Sequence, residues 1–369
     1  MKGRTFVRKV LFAVNIIFAV GLVCSSLAHL VDPNTFLVPS FLGLAFLPFF
    51  VINIIALIFW LFAKFRNSWL SLAAMLIALP SISTHFAFAN AAESSASDLK
   101  VMSYNVRLFD LYNWSSNKKT RNLILDYFTQ EDADIICIQE FFNSNDNSYF
   151  NTLDTMLKVQ NAKNVHDEYT AILHKGRSKF GIATFSKFPI KNKQIVQLDT
   201  SGNNIAIFTD IETDKGMIRV FNVHLASVHL SSMEKDINEH IEKSDQSKQW
   251  NDVKVMSRKL AGGFKKRANQ AKVIRSYIEQ SPYPVLICGD FNDTPSSFAY
   301  HTIRSDFQDA FLTKGSGLGA SYIGFIPSLR IDYIMCDSNF TIDQFSQSNV
   351  RLSDHKPAIA QISLKAKAN

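Results

Sequence analysis

The first 90 residues contain three long apolar runs, separated by short polar or basic segments. The runs are Val10–Leu30, Phe41–Ala63 and Trp69–Ala89. Each is about 20 residues long, the length that a helix needs to cross a lipid bilayer. The third run is weaker, because Pro80, His85 and several hydroxyl side chains interrupt it. The pattern predicts three transmembrane helices; the alternatives are buried core helices and a third run that lies in the membrane interface.

The charges that flank the runs predict an orientation. Basic residues precede the first run and separate the second from the third, at Lys2, Arg4, Arg8, Lys9, Lys64 and Arg66. The loop between the first and second runs carries only Asp32. Because cytoplasmic loops are enriched in Lys and Arg, we expect a multi-pass protein of the inner (cytoplasmic) membrane with a cytoplasmic N-terminus. Three crossings place the rest of the chain outside; with two crossings it faces the cytoplasm.

The pattern changes after residue 98 to short strand-like stretches. The polar segment Ala91–Asp98 indicates a linker, which gives a membrane anchor at 1–90, a linker at 91–98 and a second domain at 99–369. Strands are predicted at Leu99–Val106, Asp134–Gln139, Thr170–His174, Ile182–Ser186, Gln194–Leu198, Ile205–Glu212, Met217–His224, Val285–Cys288, Ile331–Cys336 and Ala358–Leu364. Helices are predicted at Lys119–Gln130 and within Ser232–Gln280, with a break at Gly262-Gly263. Many strands with few helices favour a β sandwich flanked by helices.

The net charge of +7 belongs mostly to the apolar region. Residues 1–90 carry six Lys or Arg and one Asp, which leaves only +2 for residues 91–369. The excess of basic residues therefore indicates how the apolar segments are oriented in a membrane, and it does not indicate a nucleic-acid-binding surface. Cys137, Cys288 and Cys336 lie in apolar strands without zinc spacing or a disulfide pattern, so we expect buried free thiols.

Polar side chains follow the predicted strands at several points along the second domain. They are Asn105, Glu140, His224, Asp290, Asn292, Asp332, Asp354 and His355. Carboxylate and amide oxygens suit a hard cation such as Mg²⁺, and the histidines suit phosphate oxygens and proton handling. Each residue alone could belong to a turn or the core. Their combination indicates metal-assisted attack of water on phosphorus; a catalytically silent binding module is the alternative from a different class.

Seven segments of the second domain together resemble the endonuclease/exonuclease/phosphatase superfamily. They read SYNVR, IQE, GIATFSKFPI, FNVHL, GDFND, RIDYIM and SDHKP, and the resemblance covers about residues 99–365. It says nothing about residues 1–90. The resemblance implies an α/β fold, namely a four-layer α/β sandwich with two packed mixed β-sheets, here preceded by the three transmembrane helices.

The resemblance also implies a site for a divalent metal ion, Mg²⁺ or Mn²⁺. Glu140 matches the family's leading metal ligand, and Asn105 lies beside it. Asp354 matches a carboxylate that supports the metal directly or through water. Gly181 and Ser186 match scaffold positions of a strand motif.

The remaining matched residues carry catalytic roles by the same resemblance. Asp290 would orient or deprotonate the attacking water, and Asn292 would hold the nucleophile or a phosphate oxygen. His224 and His355 would stabilise the charge on the phosphate oxygens, with Asp332 orienting His355.

The substrate stays open at the level of the sequence. His224 is more similar to the deoxyribonuclease I, sphingomyelinase and phosphatase branches than to abasic-site endonucleases. The expected partners are the lipid bilayer and a phosphate-ester substrate, either a nucleic acid or a lipid head group; the sequence indicates no protein partner. Residues 225–265 could contact the membrane surface or could pack against the domain.

Overall fold

The computed structural model describes residues 2–89, 97–145, 151–198, 204–228, 246–324 and 328–365. Most of the predicted linker at residues 91–98 lies outside these ranges, as do residues 232–245 of the predicted helical segment Ser232–Gln280.

The three apolar runs fold as five helices. These are α1 (Lys2–Ser26), α2 (Val38–Leu44), α3 (Phe46–Ala63), α4 (Phe65–Ile77) and α5 (Leu79–His85). Among the described residues, α1 and α3 are long and apolar enough to cross a membrane. The third run is bent by 62° between α4 and α5, so it counts as a third span only if the pair is taken together. Pro80 in the first turn of α5 explains the break, since proline disfavours helix in the residue before it.

Polar side chains join the helices to one another. Ser71 donates to the side chain of Asn15 (2.9 Å), and Asn53 donates to the carbonyl of Phe18 (2.9 Å). Large apolar side chains point outward instead, with Phe62 89% exposed. Paired polar groups inside and exposed apolar groups outside are typical of membrane helices. The helices therefore support membrane association.

The second domain contains two mixed six-stranded sheets within the described residues. In spatial order, the first sheet comprises β13 (Phe340–Gln347), β14 (Ala358–Leu364), β2 (Leu99–Asn105), β3 (Ile135–Ser144), β5 (Ser178–Ser186) and β4 (Asn164–Leu173). The second comprises β10 (Gln308–Asp309), β12 (Asp332–Cys336), β9 (Val285–Asp290), β8 (Gly216–His224), β7 (Ile205–Thr213) and β6 (Ile190–Val196). Parallel pairs occur at β2–β3 and β8–β9.

Helices cover the outer faces of both sheets. They are α6 (Thr120–Glu131) and α7 (Thr152–Val159) on the first sheet, and α8 (Gln246–Glu279) and α9 (Phe298–Arg304) on the second. A shared apolar core lies between the sheets. It includes the thiols of Cys137, Cys288 and Cys336, which are free and buried as predicted. The predicted α/β sandwich with two mixed sheets is confirmed.

The N-terminal helices and the second domain touch through a short strand pair and side-chain contacts. Strand β1 (Ala87–Phe88) pairs with β11 (Ser316–Gly317), next to helix α10 (Ala310–Lys314). The ring of His29 stacks on that of His301, with centroids 3.9 Å apart. The N-terminal helices are thus joined to the second domain by direct contacts as well as by the chain that connects them.

Two local predictions were wrong. Helix α8 continues through Gly262-Gly263 without a break. A Cβ at Gly263 would lie 2.5 Å from a methyl group of Val228, so close packing explains the glycine. Strand β3 does not end at Gln139 but continues to Ser144, past an irregularity between Ile138 and Phe141. The elements α7, α9 and β13 had no clear sequence signal.

Candidate active site

The eight predicted site residues lie together at one edge of the sandwich. The parallel pairs β2–β3 and β8–β9 bring their carboxyl ends to this edge, and Asp332 lies opposite Asp290 in the antiparallel pair β12–β9. Hydrogen bonds and contacts of less than 4 Å link seven of the eight side chains directly. The eighth, Asp354, joins them through Ser353, which donates to the backbone carbonyl of Asn105.

Asp290 is the centre of the cluster and is almost fully buried. Its carboxylate accepts hydrogen bonds from the side-chain amides of Asn105 (3.0 Å) and Asn292 (3.2 Å). The Nε2 atoms of His224 and His355 lie 3.8 and 3.7 Å from its Oδ2. Burial raises the pKa of Asp290, although the histidines and the Asn105 hydrogen bond oppose the shift. A buried carboxylate with a raised pKa suits proton exchange with water.

His355 and Asp332 form a buried imidazole–carboxylate pair. The Nδ1 atom of His355 lies 2.9 Å from Oδ2 of Asp332. Burial lowers the pKa of His355, but the carboxylates of Asp332 and Asp290 outweigh it, so the pKa is raised well above its ordinary value. The hydroxyl of Ser321 accepts the backbone N–H of Asp332 (3.1 Å) and fixes the start of β12. The pair therefore presents Nε2 of a cationic imidazole to the centre of the cluster.

His224 is a buried imidazole with a free nitrogen. Within the described residues its Nε2 atom has no hydrogen-bond partner, and it faces Asp290 at the end of β8. A buried polar atom without a partner is costly, so it marks a position where a ligand atom completes the bonding. An oxygen acceptor placed between His224 and His355 would meet both imidazoles.

Glu140 and Asn105 lie side by side at the same edge. The side-chain amide of Asn105 is 3.4 Å from Oε1 of Glu140. Glu140 sits in the bulge of β3 with a left-handed φ of 50°, whereas the sequence predicted a strand end at this point. Because of the bulge, the half-buried side chain of Glu140 does not follow the alternation of side chains between the two faces of the sheet. The carboxylate oxygens of Glu140 fit a hard divalent cation, whereas Asn105 turns its amide nitrogen toward Glu140 and Asp290 and accepts the backbone N–H of Arg107 through its Oδ1 (3.1 Å).

Asp354 is joined to the cluster by residues that the sequence analysis did not single out. Ser353 donates to the carbonyl of Asn105 (2.8 Å) and lies 3.3 Å from Oδ1 of Asp354. The guanidinium of Arg107 lies 3.3 Å from the other carboxylate oxygen and 4.5 Å from the ring centre of Trp114. Arg107 is the last residue of the segment SYNVR, and Ser353 is the first residue of SDHKP, which is the one signal that could have marked them.

A polar bridge under the site crosses between the sheets. Gln139, next to Glu140, donates to the side chain of Asn222 (2.7 Å), and Asn222 donates to the carbonyl of Ala183 (2.9 Å). Both side chains are fully buried. The bridge fixes the spacing between the Glu140 bulge on one sheet and the end of β8 on the other.

A second grouping of possible metal ligands overlaps the first. Ligand atoms of Asp290, Asp332 and His355 all lie within 4.8 Å of one another. The hydrogen bond of His355 to Asp332 and its raised pKa favour a protonated imidazole, which cannot bind a cation through either nitrogen. The chemistry of the donors therefore favours the Glu140 side of the cluster as the cation site.

Comparisons with known proteins agree with this arrangement. The family model for the "Endonuclease/Exonuclease/phosphatase family" matches residues 102–355, well over half of the 369-residue chain. A second model, for a domain of unknown function (DUF8431), matches residues 8–85. No curated protein matches the sequence.

Solved structures share the fold at low sequence identity. An endonuclease/exonuclease/phosphatase from Bacteroides vulgatus is 17% identical, with a TM-score of 0.54 over 73% of this chain and 100% of that one. A mannosyl-6-phosphatase from Bacteroides thetaiotaomicron VPI-5482 is 16% identical, with a TM-score of 0.52 over 72% of this chain and 100% of that one. The human Nocturnin catalytic domain with bound sulfate is 18% identical, with a TM-score of 0.51 over 73% of this chain and 94% of that one.

The extent of the family-model match and the shared two-sheet fold lead to one conclusion. The chain belongs to the endonuclease/exonuclease/phosphatase family and is a hydrolase that acts on phosphate esters.

Proposed function

We propose that the protein is a divalent-metal-dependent phosphoesterase that its N-terminal helices hold at a membrane. The observation that carries the proposal is the buried Asp290 carboxylate between two imidazoles, with Glu140 and Asn105 beside it. This arrangement pairs an acceptor for a water proton with two groups that can meet phosphate oxygens. Residues 1–90 would be the anchor and residues 99–369 the catalytic domain.

Glu140, Asn105 and Asp354 would hold Mg²⁺ or Mn²⁺. Glu140 and Asp354 offer carboxylate oxygens, and Asn105 would offer its side-chain oxygen, which in this structure accepts the backbone N–H of Arg107. Such an ion, when bound, polarises the phosphate and stabilises the leaving oxygen. Arg107 balances the charge of Asp354 and keeps that carboxylate at the edge of the cluster.

The chain's own residues supply the rest of the chemistry. Asp290 accepts a proton from the attacking water, whose position the side chain of Asn292 helps to fix. Protonated His355 and the free Nε2 of His224 donate to the phosphate oxygens, where negative charge grows as water attacks in line. Asp332 is a positioning residue, because it acts by holding the ring and charge of His355.

The helices support a location at the membrane with the catalytic domain on the extracytoplasmic side. The basic turn at Lys64 and Arg66 joins α3 to α4, at the opposite end of these helices from the contacts with the second domain at His29 and Thr84. If the basic turn is cytoplasmic, the catalytic domain lies across the membrane. Membrane residence favours phosphate esters that arrive at the bilayer surface, and a lipid head group is the first candidate substrate.

The test is hydrolysis by the purified full-length protein with Mg²⁺. Sphingomyelin-containing liposomes and plasmid DNA are offered side by side, with Glu140→Ala as the inactive variant. We expect Glu140→Ala to lower the rate by at least about a hundredfold, because a metal ion contributes several kcal/mol to the transition state. Removal of metal with EDTA should abolish the wild-type rate, and added Mg²⁺ should restore it.

Glu168→Ala is the matched control, because Glu168 is a half-buried carboxylate on β4, which β5 separates from the strand that carries Glu140. It should keep the wild-type rate. Head-group release without DNA nicking would identify a lipid phosphodiesterase, and nicking that Glu140→Ala loses would identify a nuclease. Equal rates for Glu140→Ala and Glu168→Ala would exclude the proposed metal site.

A further inference from the structure

Two loops that carry the catalytic residues are covered by the N-terminal helices. The first, Phe291–Ser297, directly follows Asp290 and contains Asn292; the second, Ser328–Ile331, directly precedes Asp332. We call these two segments the catalytic loops. The end of α5 lies against both of them, and helix α2 lies against the first.

The contact with the second catalytic loop is made by a buried arginine. The guanidinium of Arg330 donates to the backbone carbonyl of Thr84 (2.8 Å) and to Oδ2 of Asp309 (2.6 Å). Its side chain is only 3% exposed and packs over the rings of Phe311 and Tyr333, each 4.8 Å away. The carbonyl of Thr84 is thus a required acceptor for a buried cation, and not an incidental surface contact.

The contact with the first catalytic loop is made by His85. Its Nε2 atom lies 3.2 Å from the hydroxyl of Ser296, and both residues are buried. Helix α2 approaches the same loop so closely that a Cβ at Gly43 would lie 3.3 Å from the carbonyl of Ser296. The helices therefore close directly on the segment that follows Asn292.

A single hydroxyl ties the two catalytic loops together beneath these contacts. That of Tyr333 lies 2.9 Å from the carbonyl of Asp293 and 2.7 Å from the carbonyl of Arg330. Asp293 is further held by Arg267, at 2.9 Å. Tyr333 thus connects the two loops into one unit, and the N-terminal helices lie on its outer side. On its inner side are Asp290 and Asp332, which lie opposite each other in the strand pair β9–β12.

We propose that the N-terminal segment is a positioning element of the catalytic centre as well as an anchor. Thr84 and His85 hold the catalytic loops, and the loops set the separation of Asp290, Asn292 and Asp332. This inference rests on the proposed hydrolase function and assigns a role to the region that matches the domain of unknown function. The consequence is that full activity requires the docked helices.

The test compares variants of the full-length protein in proteoliposomes with bis(p-nitrophenyl) phosphate and Mg²⁺. We expect His85→Ala and Ser296→Ala each to lower kcat by about ten- to a hundredfold, because displacements of about 1 Å at a reacting centre have effects of this size. KM should change little, since neither residue touches the substrate. His85→Gln keeps a hydrogen-bonding group and should restore most of kcat.

Asn34→Ala is the matched control. Asn34 donates to Asn269 (2.9 Å), an exposed docking contact between the N-terminal segment and α8 that involves no residue of the catalytic loops. It should keep the wild-type kcat. Unchanged kcat in Ser296→Ala and His85→Ala would overturn the proposal and leave the segment as a tether. If His85→Ala fails to fold, Ser296→Ala decides alone, because it removes one hydroxyl from the domain side.

A second readout separates this proposal from the hydrolase proposal. Hydrogen–deuterium exchange in peptides that cover the catalytic loops should be faster in Ser296→Ala than in the wild type and in Asn34→Ala. If the wild type hydrolyses no phosphate ester but this difference appears, the hydrolase proposal fails and the positioning contact stands. Equal exchange in all three proteins would refute the contact whatever the activity.

Discussion

At the scale of single residues, the site shows how neighbours decide what one side chain can do. Asp290 and Asp332 are both buried carboxylates, but Asp332 is committed to a close hydrogen bond with His355, whereas Asp290 accepts from amides and faces two imidazoles. Only Asp290 keeps an oxygen directed at the centre of the cluster. In the proposed mechanism these two identical groups therefore have different roles, because their partners differ.

The charge of His355 can be tested through Asp332→Asn. The carboxylate raises the pKa of His355, so the cationic form persists to higher pH in the wild type. Without that charge the pKa falls, and the loss of activity on the alkaline side should begin at lower pH. We also expect kcat to fall by about a hundredfold at neutral pH. A kcat–pH profile measures both effects; an unshifted alkaline limb would show that Asp332 does not control the charge of His355.

Residue types and their places after strands were enough to predict which side chains meet at the site. His224, Asp290 and His355 needed no structure to be selected. The contacts that hold the site together could not be predicted. Ser353 bonds to Asn105, and Thr84 bonds to Arg330, and both bonds join segments that are far apart in sequence. Thr84 acts through its backbone carbonyl, which no residue type reveals.

At the scale of elements, the two glycines of α8 show that a glycine pair can mark either a helix break or a position of close packing. Glycine pairs usually weaken a helix, which is why a break was predicted. Gly263 instead allows α8 to approach Val228 and leaves room for Arg267, which holds Asp293 beside the site. Gly262 has open space around its Cα. Periodicity predicted the helix, but only its packing explains why it continues.

Alanine at these two positions should therefore have opposite effects on stability. Gly262→Ala should raise the free energy of unfolding by about 0.5–1 kcal/mol, since it removes backbone freedom at no steric cost. Gly263→Ala should lower it by about 1–3 kcal/mol, because the new methyl group overlaps Val228. Thermal unfolding of both variants in detergent measures the difference. Stabilisation by both substitutions would indicate that the contact with Val228 yields without cost.

At the scale of the whole molecule, the described part of the N-terminal helices contacts the second domain at one end only. The α1–α3 connection and the end of α5 contact the second domain, and the α3–α4 turn lies at the far end. Hydropathy predicted the apolar segments, and the charge-based orientation stays a prediction. Neither hydropathy nor charge could predict the docking of the helices, because it depends on shape and on buried hydrogen bonds between the two regions.

Thiol labelling in intact cells can check which side each end faces. In a Cys24→Ser background the remaining cysteines are buried, so introduced thiols report alone. Lys175→Cys, on the exposed β4–β5 turn, should react with a membrane-impermeant maleimide. Lys64→Cys, on the basic turn, should react only after the cells are opened. Labelling of Lys64→Cys in intact cells, with protection of Lys175→Cys, would reverse the proposed orientation.

The backbone at Glu140 has a consequence for how this sequence is maintained. A glutamate in the left-handed region costs of the order of 1 kcal/mol or more compared with glycine, which adopts that conformation freely. Random drift under selection for stability alone would therefore replace it. Under the proposed function, the glutamate at position 140 gives up this stability in return for a carboxylate that binds the metal ion. A lineage that had abandoned hydrolysis would be expected to lose this glutamate early.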